Sequence, residues 1–254
     1  MLESQKIEAQ NSKPQSKKWY ASWFDSPYYH ILYKDRNYRE AQLFMDNITH
    51  YLNLPEDSKI LDLACGKGRY SIYLNQLGFD VLGADLSENS IIEASKNTNK
   101  TLNFKVHDMR MPFENKFEAI FNLFTSFGYF ENDEDNLTTL IAMKDSLSEY
   151  GFAVIDFMNV NNVIANLVPE EIKTVENIDF HIKRYVKDNH IFKEIDFEDQ
   201  GEKYHFTEKV KALTLQDFES MMEEAGIFLL DIFGDYKLKK YHKTESERLI
   251  MIFK

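Results

Sequence analysis

The chain has 254 residues, 43% of them hydrophobic, and a formal charge of −12 at pH 7. That length suits one large α/β domain, or a domain with a cap, and the apolar content is enough for a full core. The charge argues against a nucleic-acid partner, and no run approaches the ~20 apolar residues of a membrane span. A single cysteine, Cys65, leaves no internal disulfide, and no Cys/His cluster has zinc spacing, so no metal is expected. The polar stretch Met1 to Lys18 lacks an apolar signal core, which predicts a cytoplasmic protein with a disordered tail at residues 1–18.

Composition changes sharply at Trp19. The segment Trp19 to Tyr33 holds both tryptophans and reads as a packing cap or a pocket wall. Tyr38 to Tyr51 has helical spacing, with Ala41, Phe44, Met45 and Ile48 on one face. Ile60 to Leu63 is an apolar run between Pro55-Glu56-Asp57 and the glycines Gly66 and Gly68, as in a short buried strand. Tyr70, Tyr73, Leu74 and Leu77 then recur at helical spacing up to a C-capping Gly78. A second apolar strand, Phe79 to Ala84, ends in Asp85, and Ser87 caps the next helix. Thr101 to Val106 is the third strand, Phe117 to Leu123 the fourth and Gly151 to Phe157 the fifth. Asp133 to Tyr150 reads as the helix before that fifth strand.

Strand, glycine turn and helix form the unit that opens a nucleotide site in an open α/β sheet. Gly66 and Gly68 can take positive φ and let a ligand approach the backbone. Asp85 lies about 23 residues after Asp62, roughly where such a unit sets a carboxylate against a ribose diol. Two features depart from a dinucleotide loop. Arg69-Tyr70-Ser71 supplies no third glycine, and Asp62 precedes the turn, where a pyrophosphate would be repelled. A nicotinamide-dependent oxidoreductase is therefore disfavoured.

Leu61-Asp62-Leu63-Ala64-Cys65-Gly66-Lys67-Gly68 resembles the first motif of the class I S-adenosylmethionine-dependent methyltransferases. The resemblance implies that Asp62, Ala64, Gly66 and Gly68 surround the methionine part of S-adenosylmethionine, the expected cofactor. It implies Asp85 on the ribose hydroxyls, with Leu86 beside it. Val106-His107-Asp108-Met109-Arg110 resembles the adenine-holding pair, with Asp108 near the amino group and Met109 beside the ring. Phe117 to Phe124 resembles the fourth strand, whose end, Asn122 and Leu123, reaches the reacting methyl. Glu118 stands where many relatives carry Asp. The implied fold is a Rossmann-like seven-stranded, mostly parallel sheet with helices on both faces and an antiparallel last strand.

Phe124-Thr125-Ser126-Phe127-Gly128-Tyr129-Phe130 follows that fourth strand at the carboxyl edge of the sheet and mixes hydroxyls with aromatics, as a substrate-pocket floor would. Phe124, Phe127 and Tyr129 are candidates there. From the aromatic segment Tyr20, Tyr28 and Tyr33 are candidates, with core packing as the alternative for each. Residues 158–212 break the alternation of strand and helix. Ile178 to Val186, His190 to Phe197 and Tyr204 to Leu213 alternate with period two, separated by Asp188-Asn189 and Asp199-Gln200-Gly201-Glu202. This is an antiparallel meander inserted between a core of residues 19–157 and its C-terminal part, 213–254. In methyltransferases of this layout such an insertion forms a lid over the acceptor or a homodimer contact. His181, Arg184, Tyr185 and His205 are its pocket candidates, with a solvated strand face as the alternative.

Methyl transfer from a sulfonium needs alignment and water exclusion more than a base, so no catalytic residue can be assigned from sequence. Two functions follow: methyl transfer to a nitrogen or oxygen atom of a small molecule, or a non-catalytic module that binds S-adenosylmethionine or a nucleotide.

Overall fold

The computed structural model describes residues 23–34 and 38–254. The disordered tail expected at residues 1–18, and Tyr20, lie outside them. Among the described residues the first elements with both ends in view are α1 (Pro27–Leu32) and α2 (Tyr38–Tyr51). The core unit follows as β1 (Lys59–Leu63), α3 (Arg69–Gln76), β2 (Asp80–Asp85), α4 (Glu88–Ala94), β3 (Leu102–Val106), β4 (Phe117–Asn122), α5 (Asp133–Ser146) and β5 (Leu147–Met158). After α6 (Val160–Ala165) come β6 (Glu170–Val175), β7 (Ile178–Lys187), β8 (His190–Asp199) and β9 (Glu202–Lys211). The chain closes with α7 (Leu215–Glu224), β10 (Leu229–Phe233) and β11 (Arg248–Phe253).

Seven strands form one sheet in the order β10-β11-β5-β4-β1-β2-β3. The pairs β1–β2, β2–β3, β1–β4 and β4–β5 are parallel, and β11 runs antiparallel to both β5 and β10. β1 shows why the middle strands read as continuous apolar runs. Leu61 and Leu63 face one hydrophobic cluster with Leu140, Met143, Phe218 and Met222 of α5 and α7. Ile60 faces the opposite cluster with Phe44, Met45, Ile48 and Leu74 of α2 and α3. Both faces are covered, so the strand is apolar apart from Lys59 at its start and Asp62 near its carboxyl end. The order reverses between β1 and β4, and such a switch point leaves a crevice at the carboxyl ends of the strands. Among the described residues no helix is long and apolar enough to cross a membrane.

Local sequence explains the ends of the elements. The Ser87 hydroxyl accepts from Ser90 N at 3.0 Å and caps α4. Thr214 and Asp217 form a reciprocal capping box at α7. At Gly68 φ is +75°, and a Cβ there would collide with the Phe104 ring, so only glycine lets α3 start against β3.

The expected helix over 133–150 is shorter. It stops at Ser146, and β5 begins at Leu147, which pairs with Phe117 across a register shift. The Ser146 hydroxyl donates to Ala142 O and accepts from Phe113 N, which ties off the helix. Leu147 and Tyr150 keep helical spacing with the preceding turns, so periodicity alone extends the helix too far.

The inserted strands form a separate antiparallel sheet, β6-β7-β8-β9. Its edge strand β6 goes unrecognised in the sequence because Glu170, Glu171 and Ile172 are all exposed and no alternation marks it. The inner face, including Ile178, Phe180, Ile182, Ile195 and Phe197, packs against Trp23 and Leu32. The aromatic N-terminal segment is therefore built onto the insertion.

Candidate functional site

The turn after β1 is shaped by three left-handed residues, Ala64 (φ +66°), Gly66 (+56°) and Gly68 (+75°). Ala64 N and Cys65 N both donate to Ala84 O, which pins the turn to β2. Gly66 N donates to Asp85 Oδ2 at 2.8 Å, while Ser87 N donates to Oδ1 at 2.9 Å. A Cβ at Gly66 would meet nothing within 4 Å: the residue faces open space. Beneath it, the Ser71 hydroxyl donates to Asp62 Oδ2 at 2.6 Å. Burial pushes the Asp62 carboxyl up to about 6, and the neighbouring Asp85 charge adds to the shift. Burial also raises Asp85, against the backbone N–H bonds that lower it. The Cys65 thiol is pushed well up by burial and by both carboxylates, which suits a packed side chain and not a nucleophile.

Above this turn opens a cavity of about 280 Å³. Asp62, Ala64, Gly66, Asp85, Leu86, Asp108, Met109 and Leu123 all line it, so most of the expected cofactor set converges on one cavity. Arg110 grips the Asp108 carboxylate with Nη2 2.5 Å from Oδ2 and also reaches Asp135 at 3.1 Å. His107 lines the wall with its Nε2 on Met111 O at 2.8 Å and its ring 3.8 Å from that of Phe113. Gly68 and Asn122 stand behind the wall. Asn122 is fully buried and donates to Leu63 O at 3.1 Å; its Oδ1 has no partner among the described residues.

The floor is the turn after β4. Phe124 (φ +58°) and Thr125 (+62°) both adopt the left-handed conformation, a costly choice for such side chains. Asp156, fully buried on β5, holds them there. Its Oδ2 accepts from Phe124 N at 2.8 Å and from the Tyr236 hydroxyl at 3.2 Å. Its backbone O accepts from Thr125 N at 2.9 Å. Arg248 of β11 completes the lock, with Nε 2.7 Å from Asp156 Oδ1 and Nη2 2.9 Å from the Thr125 hydroxyl.

Phe124 and Tyr129 line the cavity, and the seven other described candidates, Tyr28, Tyr33, Phe127, His181, Arg184, Tyr185 and His205, do not. Phe127 is fully buried in the core, its ring centroid 5.5 Å from that of Phe218. Tyr28 donates to Asp199 at 2.9 Å and packs among Phe197 and Tyr204. Arg184 pairs with Glu171 at 2.5 Å on β6. Tyr33 stands one residue back, its hydroxyl donating to Glu208 at 2.7 Å. Within the insertion, Tyr185 bonds Glu194, His205 bonds Asp196, and neither they nor His181 reach the cavity.

Glu208 was missed by sequence reasoning, yet it lines the cavity from β9. Its Oε1 accepts from Trp23 Nε1 and from the Tyr33 hydroxyl, both at 2.7 Å, and Lys193 Nζ lies 4.0 Å from Oε2. The sequence did carry a signal. With period two, Glu208 shares the strand face of Tyr204, Phe206 and Val210, a carboxylate in an apolar row.

A cavity at the switch point of a doubly wound sheet, entered by a glycine turn and flanked by acids on β1 and β2, defines a nucleoside-type cofactor site. Residues 60–151 match the profile of a family described as a methyltransferase domain. A putative methyltransferase of Bacillus subtilis is 27% identical over 209 residues, 78% of this chain and 84% of that one. The crystal structure of an S-adenosylmethionine-dependent methyltransferase from Clostridium acetobutylicum superposes with a TM-score of 0.74 at 21% identity, covering 89% of this chain and 95% of that one. A sugar N-methyltransferase from a Streptoalloteichus species superposes at 0.69 and 16% identity, covering 99% and 98%. Residues 60–151 thus carry a methyltransferase domain, the relatives point to S-adenosylmethionine as the methyl donor, and the likeness to the solved structures extends the fold over the rest of the chain.

Proposed function

We propose that this enzyme methylates a nitrogen or oxygen atom of a small molecule, which enters the cavity between the sheet and the inserted strands. One observation carries the reading. Besides the cofactor-side residues, the same cavity is lined by Phe24, Tyr29 and Tyr129, linked ring to ring, and by Glu208, which Trp23 joins to Tyr29. The aromatic side chains in its lining suit a small organic acceptor better than a polymer. The sugar N-methyltransferase neighbour, which shares the full length of the fold, supports an acceptor of this size.

The residues present fit the cofactor. Gly66 leaves open space above the backbone, Asp85 offers a carboxylate braced by two backbone N–H groups, and Met109 and Leu86 offer apolar walls. In this reading Asp85 takes the ribose diol, Asp62 and the Ala64–Gly66 backbone take the methionine end, and Asp108 and Met109 take the base. S-Adenosylmethionine, when bound, supplies a methyl group on a positively charged sulfur. The chain supplies position. Phe124 and Thr125 form a rigid floor, and the aromatic segment and the insertion form a roof that excludes water. Alignment of this kind is worth up to ~7–11 kcal/mol of the barrier. Titrating the protein calorimetrically with S-adenosylmethionine, with NADH and the Asp85→Ala variant as controls, tests the cofactor half. Incubation with labelled cofactor and a panel of small amines and alcohols tests transfer. Tight cofactor binding with no transfer to any acceptor would favour the non-catalytic module.

A further inference from the structure

We infer that Glu208 is the specificity-determining residue of the acceptor half and that the acceptor it selects is an amine, held through its N–H or as the ammonium ion. This deepens the methyltransferase reading and rests on it.

The argument starts from charge. Among the described residues lining the cavity, Asp62, Asp85, Asp108 and Glu208 are acids, and Lys67 is the single lysine. Three of those acids belong to the cofactor half, where Arg110 already compensates Asp108. Glu208 lines the same cavity beside the rings of Phe24, Tyr29 and Tyr129, and the cation nearest it is Lys193, at the 4.0 Å limit of an ion pair. A carboxylate in such a setting is costly unless it is solvated by fixed donors or paired with a cation. Fixed donors are present, since Trp23 Nε1 and the Tyr33 hydroxyl both bond Oε1. They also orient the group and leave Oε2 for another partner. The candidate partner within the protein is Lys193, directly across the β8–β9 ladder, but its Nζ stays 4.0 Å from Oε2 and instead bonds the Tyr33 hydroxyl and lies over the Tyr33 ring at 4.5 Å. The carboxylate is thus braced for an external donor.

Aromatic faces around it add to the preference for a cation. Phe24 meets Tyr29 at 5.1 Å and Tyr129 at 5.5 Å in T-shaped pairs, so rings set at right angles line the cavity, and a ring face offered there attracts a positive or partly positive nitrogen. An acceptor carboxylate or phosphate set at this end would be repelled. A neutral alcohol would lose the cation–π and charge-assisted part of the binding. The reactive form is the neutral amine, whose extra proton has passed to water. With an N–H donated to Glu208, its lone pair points elsewhere and is available to form the nitrogen–carbon bond as the carbon–sulfur bond breaks and its electron pair goes to sulfur.

The test uses the full chain saturated with S-adenosylhomocysteine and three shape-matched probes: cyclohexylamine, cyclohexanol and cyclohexanecarboxylate, with phenethylamine, 2-phenylethanol and 3-phenylpropanoate as a second set. Calorimetry should show at least one amine binding about ten-fold or more tightly than its alcohol, with the acid weakest. Glu208→Gln should erase the amine preference while S-adenosylhomocysteine binds as before. If that variant does not fold, Lys193→Gln gives an opposite readout, because removing the neighbouring cation should strengthen amine binding several-fold. Alcohol or acid binding as well as amine in both sets, no binding by either amine, or an amine preference that survives Glu208→Gln, would overturn the assignment. Failure of S-adenosylhomocysteine to bind at all would instead sink the methyltransferase reading beneath it.

Discussion

Replacing Asp156 by Asn should cost more than any single change on the cavity lining. Asp156 is fully buried, and its carboxylate accepts from Phe124 N, the Tyr236 hydroxyl and Arg248 Nε. The amide of Asn keeps one carbonyl acceptor, but turns the other oxygen into a donor and removes the charge opposite Arg248. That arginine is only 19% exposed, so its guanidinium would stay largely buried and uncompensated. Breaking a buried pair from one side costs about 3–5 kcal/mol. For a chain of this size each kcal/mol lowers the melting temperature by roughly 2–4 °C, so a fall of roughly 6–20 °C is expected. Differential scanning calorimetry or urea melts would measure it. The double variant Asp156→Asn/Arg248→Met should recover much of the loss, because it removes the stranded cation as well. A single-variant loss below about 1 kcal/mol, or a double variant no better than the sum of the two, would refute the view that this pair pins the Phe124–Thr125 turn.

Other variants separate the cofactor turn from its scaffold. Gly66→Ala should cost roughly 1–2 kcal/mol, for the left-handed backbone alone, yet weaken S-adenosylmethionine at least ten-fold by filling the space above the turn. Gly68→Ala should destabilise by roughly 2–5 kcal/mol in chemical melts, since strain is joined by a clash with Phe104. Asp62 holds its proton more tightly in the folded chain, about 6 against an ordinary 3.8. Its contribution to stability is therefore fully present below pH 3.8 and falls, by on the order of 3 kcal/mol, as the pH rises to about 6. A cationic ligand group beside it favours the ionised form. S-Adenosylmethionine affinity should then drop about ten-fold from pH 8 to pH 5, and calorimetry on Asp62→Asn should show that drop abolished. Trp23→Ala empties a fully buried site between α1 and the inserted sheet and should cost about 3–5 kcal/mol, with limited proteolysis cutting the insertion first.

How much of this was legible in the residues depended on whether a position answers to its neighbours in sequence or in space. The β1–turn–α3–β2 unit was readable because apolar runs, glycines and a terminal acid sit within a short span, each required by local geometry. The meander was readable for the same reason: β7, β8 and β9 alternate. Helix α6 and strand β6 were not, since neither buries a clean face. The hydroxyl-and-aromatic loop after β4 does line the cavity, and of its three candidate rings Phe124 and Tyr129 face inward while Phe127 does not. Phe127 was lost to the core because α7, almost ninety residues further on, covers it. Tyr28 and Arg184 found carboxylates, Asp199 and Glu171, on strands that no local pattern assigns as their neighbours. Glu208 shows the converse: an anomaly in an apolar row, visible only once the row is read face by face.

Strand β11 inserts between β10 and β5, and its Arg248 pairs with Met158 some ninety residues earlier. The meander between them is stitched entirely from neighbouring hairpins. Local hairpins close in microseconds, whereas a pairing across so long a loop waits on a slower search. The two walls of the cavity therefore ripen on different clocks. During refolding, the Tyr185–Phe192 stack across the β7–β8 hairpin should settle while Phe124 and Thr125 are still unpinned, and competence to bind cofactor should appear only when Arg248 arrives.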